Sequence, residues 1–323
     1  MNELRTDRLT GRNVIIVPGR ATRPVTSPDR TVGATSSGTA DIAKCPFCVG
    51  NETTTPPEVF RTGSGAPDTP GWRVRIVPNL YPIVDETKVS PIAQGCHEVA
   101  VLSPNHGNDF GGLSDLEANE VLLSLRARTI FHRDSGRAHT QLFINQGRTA
   151  GASIAHPHAQ IVTLDAVPPM VEEELQRFAN SPDNILRQDF EESSGAGAEV
   201  LTVGRVQAWC PLGSTSSYVV RIAEIDSEVT PTVGIEDASD ELLNEMAIAL
   251  RDVLFMLTKT LNEPDYNVVF HNAPTSDKLR ENYQWWIEVI PRISVLGGFE
   301  LGSGIYVNTV EPVVAAKTLA DAI

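Results

Sequence analysis

The sequence predicts a mixed chain of α-helices and β-strands, built from two halves that share one plan. Short runs rich in β-branched residues alternate with two long segments whose apolar residues recur at helical spacing. The order of strand, helix and strand in the first half recurs in the second, which indicates an internal duplication. With 323 residues, the chain is long enough for two domains or one large one.

In the first half, β-branched runs predict four strands around one helix. "NVIIVPGRA" predicts an opening strand, and "WRVRIVPN", "HEVAVLSP" and "HTQLFIN" predict three more. Ser114 followed by Glu117 is typical of a capping box, which predicts a helix through "LEANEVLLSLRARTIFHRD". Residues 21–41 are rich in Pro, Ser, Thr and Gly and predict a long loop.

The segment "ESSGAGAEV", residues 192–200, predicts a boundary between domains 1–191 and 200–323. After it, "SYVVRIAE" and "YNVVFHNAP" predict strands on either side of the helix "DELLNEMAIALRDVLFMLTKTL". When this register is carried forward, "QWWIE" at 284–288 takes the place of "HPHAQ" at 156–160. We therefore expect the second copy of the motif to be structural.

Composition excludes several classes of protein. The chain has 26 basic against 41 acidic residues, and a net charge of −15 argues against broad contact with nucleic acid. No apolar run approaches the roughly 18 residues that span a bilayer, and "MNELRTDRLTGRN" lacks the apolar core of a secretory signal. We expect a cytoplasmic protein without a membrane partner.

Cys45 and Cys48 form a Cys-x-x-Cys pair that can present two thiolates to one ion. Zinc would complete a tetrahedron with two more ligands, commonly histidine. All seven histidines are candidates by type, and His106 and His156 are the best placed. A redox role is disfavoured because no helix pattern follows Cys45. An alternative places both His156 and His158 on the ion and leaves His106 spare.

The motif "GASIAHPHAQIV" predicts a strand with His156, His158 and Gln160 on one face, because side chains alternate along a strand. If zinc takes one of the two histidines, the other is free to attack phosphorus as a neutral imidazole. Gln160 and the preceding "GRTAGAS" offer hydrogen-bond donors to phosphate. The combination indicates transfer of a phosphoryl or nucleotidyl group.

The motifs "CPFCVGNE", "TPPE", "VPNLYP", "HEVAVLSPNH", "HPHAQ" and "GGFELGSGIYVN" together resemble the galactose-1-phosphate uridylyltransferase family of the histidine-triad superfamily. The resemblance runs from "NVIIVPGRATRP" to "NTVEPVVAAKTL", nearly the whole chain. The same branch includes ADP-glucose phosphorylases. It implies a duplicated, histidine-triad-like α+β fold with two antiparallel half-barrel sheets and flanking helices, assembled as a homodimer.

The resemblance also implies a ping-pong reaction. A histidine matching His158 attacks the α-phosphate of a nucleotide sugar, releases sugar 1-phosphate and passes the nucleotidyl group to a second phosphate, with Gln160 beside it. One structural zinc ion is implied per chain and no organic cofactor. The residues matching its ligands are Cys45, Cys48, His106 and His156. The residues matching substrate contacts are Arg20, Asn79, Asn145, Gly151, Ser153, Phe299 and Glu300.

The chain departs from the family pattern at a second metal site that many members carry. Glu174 and His271 match two of its ligands, but the other two fall at Gln284 and Trp286. We therefore expect no second metal. Tyr306 also stands where some uridylyltransferases place a glutamine that contacts the sugar.

Three functions remain open at this point. The leading hypothesis is transfer of a nucleotidyl group between a nucleotide sugar and a hexose 1-phosphate. The first alternative is a nucleotide-sugar phosphorylase, in which inorganic phosphate is the acceptor. The second alternative is a catalytically silent module stabilised by zinc.

Overall fold

The computed structural model describes most of the chain. The described residues are 2–22, 43–87, 90–226, 230–275 and 277–322. The loop predicted for residues 21–41 therefore lies outside the described residues, apart from its first two positions. In the described ranges, no helix combines the length and the apolar character that crossing a membrane requires.

The elements alternate along the chain much as the patterns predict. The strands are β1 (Glu3–Thr6), β2 (Asn13–Ile16), β3 (Phe60–Gly63), β4 (Trp72–Pro78), β5 (Gly95–Val101), β6 (His139–Gln146), β7 (His158–Leu164), β8 (Glu199–Val203), β9 (Val206–Trp209), β10 (Val220–Glu224), β11 (Tyr266–His271), β12 (Trp286–Pro291) and β13 (Tyr306–Asn308). The α-helices are α1 (Asp115–Asp134), α2 (Pro169–Asn180), α3 (Ile185–Gly195), α4 (Asp240–Leu261), α5 (Gly298–Ser303) and α6 (Pro312–Ala320).

Ten of the strands form one antiparallel sheet in the order β3-β4-β5-β7-β6-β11-β12-β10-β9-β8. Strands β3 to β7 come from the first half and β8 to β12 from the second, so each half contributes five. The halves meet where β6 pairs with β11, with Phe143 opposite Val269. The α+β fold is confirmed, and its two antiparallel half-sheets join edge to edge in one continuous sheet.

A smaller sheet brings the two ends of the described chain together. Its order is β1-β2-β13, and β13 runs parallel to β2. Arg5 on β1 strengthens this connection by an ion pair of 2.7 Å to Glu311, immediately before α6. Residues from both ends therefore pack on the same part of the molecule.

Helices α1 and α4 pack against each other over one face of the large sheet. Ser114 and Glu117 form the predicted capping box at the start of α1, and Ser239 caps α4. The strands contribute Leu142 from β6 and Ile161 from β7 to the same core. Because side chains alternate along a strand, His158 and Gln160 project from the opposite face of the sheet.

Two helices and two strands near the middle of the chain were not predicted. Helices α2 and α3 precede the second half, and β8 and β9 form an antiparallel pair at its edge. Helix α3 continues to Gly195, so the first part of the segment 192–200 is helical and not an extended linker. The division into domains 1–191 and 200–323 stays a prediction.

Candidate active site

The predicted metal ligands converge at one place. Ligand atoms of Cys45, Cys48, His106 and His156 all lie within 4.8 Å of one another. The sulfur of Cys48 is 3.2 Å from Nδ1 of His106 and 3.5 Å from Nδ1 of His156. The sulfur of Cys45 is 3.7 Å from the same nitrogen of His156. The group contains His106 and leaves out His158, which disfavours the alternative with both motif histidines on the ion.

The donors suit a metal ion in chemistry as well as in position. Nε2 of His156 lies 2.7 Å from the carbonyl oxygen of Ser103. A carbonyl only accepts, so Nε2 carries the proton and the lone pair of Nδ1 faces the thiols. Burial lowers the pKa of His156 to about 4, which keeps the ring in the neutral form that ligates. Two sulfur and two imidazole donors are a typical set for zinc.

The pKa of the Cys48 thiol also agrees with a metal site. Burial, followed by the charge of Cys45, raises the pKa of Cys48 to about 11. Without a nearby cation this thiol stays protonated at neutral pH, whereas a bound metal ion stabilises the thiolate. The four residues can therefore hold a metal ion.

His158 is the first residue of β7, and its ring is held by the backbone two residues before it. Its Nδ1 lies 2.8 Å from the carbonyl oxygen of His156, so Nδ1 donates and Nε2 keeps its lone pair. Burial lowers the pKa of His158, which favours the neutral ring. The ring of Phe47 packs against it with centroids 5.5 Å apart. The result is an oriented, neutral imidazole with one free nitrogen.

A cavity of about 290 Å³ opens beside His158. Its described lining residues are Pro46, Phe47, Thr54, Thr55, Pro56, Val77, Pro78, Asn79, Leu80, Tyr81, Ile83, His97, Val99, Gly151, Ser153, Ile154, His158 and Gln160. None of these carries a carboxylate, although the whole chain has a net charge of −15. An anionic ligand therefore meets no acidic side chain among the described walls.

Gln160 and Asn79 meet at a histidine that the sequence pattern did not single out for this place. His97 on β5 lies diagonally across from Gln160 on β7, and its Nε2 is 2.9 Å from Oε1 of Gln160. The side-chain amide of Asn79 is 3.1 Å from the same nitrogen of His97. His97 had been a candidate zinc ligand by type only, and the structure places it on the cavity wall.

The loop between β6 and β7 approaches the cavity through Gly151 and Ser153. Gly147 has a φ of 81° and packs so closely on Asp265 that a Cβ would lie 1.8 Å from its carboxylate oxygen. The other carboxylate oxygen of Asp265 accepts from the backbone N–H and the hydroxyl of Thr149, both at 2.6 Å. An acidic residue from the second half therefore fixes this first-half loop.

Asn145 is held from the second half as well. Nδ2 of Asn267 on β11 donates to Oδ1 of Asn145 at 2.7 Å and to the carbonyl of Ala150 at 2.8 Å. The amide nitrogen of Asn145 lies beside Gly151, 3.5 Å from where a Cβ would be. Asn145 thus stands behind the loop and is not part of the described cavity lining.

Three predicted substrate contacts lie away from the described cavity lining. Arg20 is exposed in a short turn after β2. Phe299 is 52 % exposed on α5, and Glu300 on the same helix accepts from the backbone N–H of Gly297. Within one chain, the structure does not bring these residues to His158.

The second half carries different chemistry at the matching position. Trp286 is the first residue of β12, as His158 is the first residue of β7. Its ring stacks on His271 with centroids 3.7 Å apart and planes inclined by 10°. Nδ1 of His271 lies 3.0 Å from Glu174, and the side-chain oxygen of Gln284 accepts from Asn184. The absence of a second metal stays a prediction.

Arg221 on β10 is fully buried next to these residues, and the sequence analysis missed its role. It pairs with Asp7 and Asp189, the latter at 2.9 Å, and lies 3.4 Å from Glu288. Its guanidinium also lies 5.0 Å from the centre of the Trp286 ring. The available signal was a lone arginine in the otherwise apolar run "SYVVRIA".

Comparison with known proteins gives full-length likenesses. The chain is 28% identical to ADP-glucose phosphorylase from Arabidopsis thaliana, over 99% of this chain and 92% of that protein. It is 23% identical to galactose-1-phosphate uridylyltransferase from Thermotoga maritima, over 99% and 98% of the two chains. A crystal structure of an Arabidopsis thaliana ADP-glucose phosphorylase with bound ADP-glucose superposes with a TM-score of 0.81 at 26% identity, covering 99% and 98%. No protein-family model matches.

The fold and the oriented histidine of the site, with these likenesses, define an enzyme of the nucleotidyltransferase class. These full-length likenesses support the galactose-1-phosphate uridylyltransferase family, including its ADP-glucose phosphorylase-like members. The resemblance drawn from the sequence motifs is confirmed at this level.

Proposed function

We propose that the protein transfers a nucleoside monophosphate from a nucleotide sugar to a phosphate acceptor through a covalent nucleotidyl-His158 intermediate. The observation that carries the proposal is the hydrogen bond from Nδ1 of His158 to the carbonyl of His156 at 2.8 Å. This bond leaves the lone pair of Nε2 available beside a cavity without described carboxylates.

The reaction has two displacements at the same phosphorus. In the first, Nε2 of His158 forms a bond to the α-phosphorus, the bond to the bridging oxygen breaks, and sugar 1-phosphate leaves with that oxygen. In the second, an oxygen of the acceptor phosphate attacks, the N–P bond breaks, and the imidazole returns to its neutral form. Gln160 and the backbone of Gly151 and Ser153 are proposed to hold the phosphate oxygens.

Zinc is proposed as a structural ion on Cys45, Cys48, His106 and His156. When bound, it would connect the Cys-x-x-Cys turn to the segment that enters β7 and neutralise the two thiolates. The chain's own contribution is the backbone carbonyl of His156, which orients His158 two residues along. His156 is therefore proposed to link the metal site to the nucleophile.

Two acceptors fit this chemistry. A hexose 1-phosphate would give a uridylyltransferase-like exchange, and inorganic phosphate would give a phosphorylase. The full-length likeness to ADP-glucose phosphorylase favours the second reaction and ADP-glucose as a donor. The apolar cavity walls, including Phe47, Leu80 and Tyr81, suit stacking against a nucleobase.

The site is proposed to be completed in a homodimer. The described cavity lining has no lysine or arginine. Basic side chains that pair with the diphosphate of a nucleotide sugar therefore have to come from outside this lining. Arg20 is proposed to reach the site of a second copy, as the family resemblance implies. A cytoplasmic location also stays a prediction.

Intact-mass spectrometry tests the proposal. The protein is incubated with ADP-glucose, UDP-glucose, UDP-galactose and GDP-glucose in turn, and the mass added identifies the nucleotide transferred. The adduct is then challenged with inorganic phosphate, glucose 1-phosphate or galactose 1-phosphate, and the released nucleotide identifies the acceptor. The His158→Asn variant is the control. If no donor leaves an adduct on the zinc-loaded protein, the result favours the hypothesis of a catalytically silent module stabilised by zinc.

A further inference from the structure

We infer that His97 is a positioning residue that fixes the side-chain amide of Gln160 with its NH₂ group toward the α-phosphate. The inference rests on the proposed function, because it assigns a task to Gln160 during nucleotidyl transfer. It concerns the direction in which the amide points, which the position of Gln160 on β7 does not determine.

A backbone group determines the tautomer of His97. The backbone N–H of Ile83 lies 3.2 Å from Nδ1 of His97, and a backbone N–H can only donate. Nδ1 must therefore accept, and in a neutral ring the proton resides on Nε2. Burial lowers the pKa of His97, which favours the neutral ring.

The tautomer of His97 in turn orients Gln160. Nε2–H of His97 points at the amide of Gln160 from 2.9 Å and requires an acceptor there. Only the carbonyl end of the amide accepts, so Oε1 faces His97 and the NH₂ group faces away. Gln160 lines the same cavity as His158, so we infer that its NH₂ group, turned away from His97, is available to a phosphate bound beside the nucleophile. A reversed amide would instead place a partial negative charge against the phosphate.

His97 also connects Gln160 to the opposite wall of the cavity. The loop from Asn79 to Ile83 follows β4, and Leu80, Tyr81 and Ile83 are 61%, 82% and 69% exposed. This loop is attached to His97 at two points besides the Ile83 N–H. The backbone N–H of Asn79 donates to the carbonyl of His97 at 2.8 Å. The NH₂ nitrogen of Asn79 lies 3.4 Å from Nδ1 and 3.1 Å from Nε2, which places it over the face of the ring and outside the plane in which Nε2–H donates. One side chain thus joins an exposed loop and the strand that carries Gln160.

A double-mutant cycle tests the inference. The rate of nucleotidyl-adduct formation is measured by rapid quench for the wild type, His97→Phe, Gln160→Ala and the double variant, using the donor that labels the wild type. His97→Phe keeps an aromatic ring but cannot donate, and we expect a loss of about 10- to 100-fold from misorientation. In the Gln160→Ala background the same change should cost less than about twofold, because the two residues act as one unit.

A second variant and a second measurement distinguish loss of positioning from misfolding of the His97→Phe variant. His97→Gln restores an N–H donor near the position of Nε2 and is expected to recover most of the lost rate. Nitrogen-15 NMR of the histidine rings in the wild type should show His97 protonated on Nε2 and unprotonated on Nδ1, with the signal assigned by its loss in His97→Gln. This measurement does not require activity.

Equal losses from His97→Phe in both backgrounds would overturn the inference and indicate a general structural role. A His97 ring protonated on Nδ1 would overturn it as well, because the amide of Gln160 would then be reversed. Failure of the wild type to form any adduct is a different outcome, since it rejects the proposed function while the ring nitrogens still report on the tautomer.

Discussion

Strands β7 and β12 occupy corresponding places in the two halves, yet the first residue of each leads to a different environment. His158 at the start of β7 faces a cavity of about 290 Å³ and keeps one ring nitrogen free. Trp286 at the start of β12 is fully buried between His271 and Arg221. The backbone frame is therefore shared, and the side chains decide whether the face is open for chemistry or filled.

The two faces also differ in the charge of the side chains that they carry. The described walls of the first-half cavity contain neutral groups, including the imidazoles of His97 and His158. The second-half face places carboxylates of Asp7, Asp189 and Glu288 around the one guanidinium of Arg221. Because these carboxylates pair with the guanidinium of Arg221, their charges are not available to a charged ligand. The comparison teaches that the face without the histidine motif is filled by aromatic and ionic groups.

The largest effect is expected at the nucleophile. His158→Asn should abolish the nucleotidyl adduct and lower turnover by at least about 10⁴-fold, since removal of a covalent nucleophile is rarely compensated. Zinc content and melting temperature should stay near the wild-type values, because His158 is outside the metal group. Trp286→Phe at the corresponding position is the matched control and should form the adduct normally. An adduct on the His158 variant, or loss of its zinc, would show that the two motif histidines share or exchange roles.

Removal of a metal ligand should come next. His156→Asn should lose zinc and reduce the free energy of unfolding by roughly 4 kcal/mol or more, because loss of a structural metal is among the causes of the largest single-substitution effects. Elemental analysis and thermal unfolding measure the two effects, with one zinc per chain expected in the wild type. Gln284→Asn is the control in the second half and should keep the zinc. A His156 variant that retains a full equivalent of zinc would remove it from the ligand set.

The buried arginine gives the corresponding test in the second half. Arg221→Met should lower the free energy of unfolding by about 3–5 kcal/mol, because it leaves buried carboxylates without their cation. Arg73→Met makes the same chemical change in an exposed pair with Glu120 and should cost at most about 1 kcal/mol. Denaturant unfolding compares the two variants. Equal losses would mean that Arg221 does not organise the filled face.

The smallest effect is expected at Glu288, which occupies on β12 the position that Gln160 occupies on β7. Burial raises the pKa of Glu288 despite the nearby Arg221, so the folded state favours the protonated acid. The stability due to that proton is fully present below the unfolded pKa near 4.3 and is lost as the pH rises through the folded pKa. Glu288→Gln should therefore lose less stability than the wild type between about pH 4.5 and 7, with a net change below about 1.5 kcal/mol.

Unfolding free energies at several pH values in that interval check this sign. Gln160→Glu is the reciprocal change and introduces a carboxylate on the cavity wall. A Glu288→Gln variant whose deficit relative to the wild type grows with pH would show that the ion pair with Arg221 outweighs burial.

Local patterns predicted the fold well where the sequence signal of an element lies within a few neighbouring residues. The capping box at Ser114 and the Cys-x-x-Cys pair are both contained within four positions. Helix α2 was not predicted because Pro168 at its start makes no side-chain cap. Glu174 on this helix, which the resemblance matched to a metal ligand, is buried against His271.

The supporting residues of the site could not be predicted because their partners are distant in sequence. His97 and Gln160 are separated by 63 residues, and Asn267 and Asn145 by 122. Such contacts depend on strand order and register, which single-sequence periodicity does not determine. Residue type identified His97 as a possible ligand, but only the pairing of β5 with β7 shows that it contacts an amide.

The bond from Asn267 to Asn145 has a consequence for how the two halves depend on each other through evolution. The second copy lost its histidines, yet its Asp265 and Asn267 hold the loop from Gly147 to Gly151 in the first copy. Under the proposed function, catalysis at His158 therefore depends on residues of the second half. Deleting that half would not restore a single-copy ancestor, because the remaining loop would lose its supports. The second half therefore supports the first-half loop although its own motif contains no histidine.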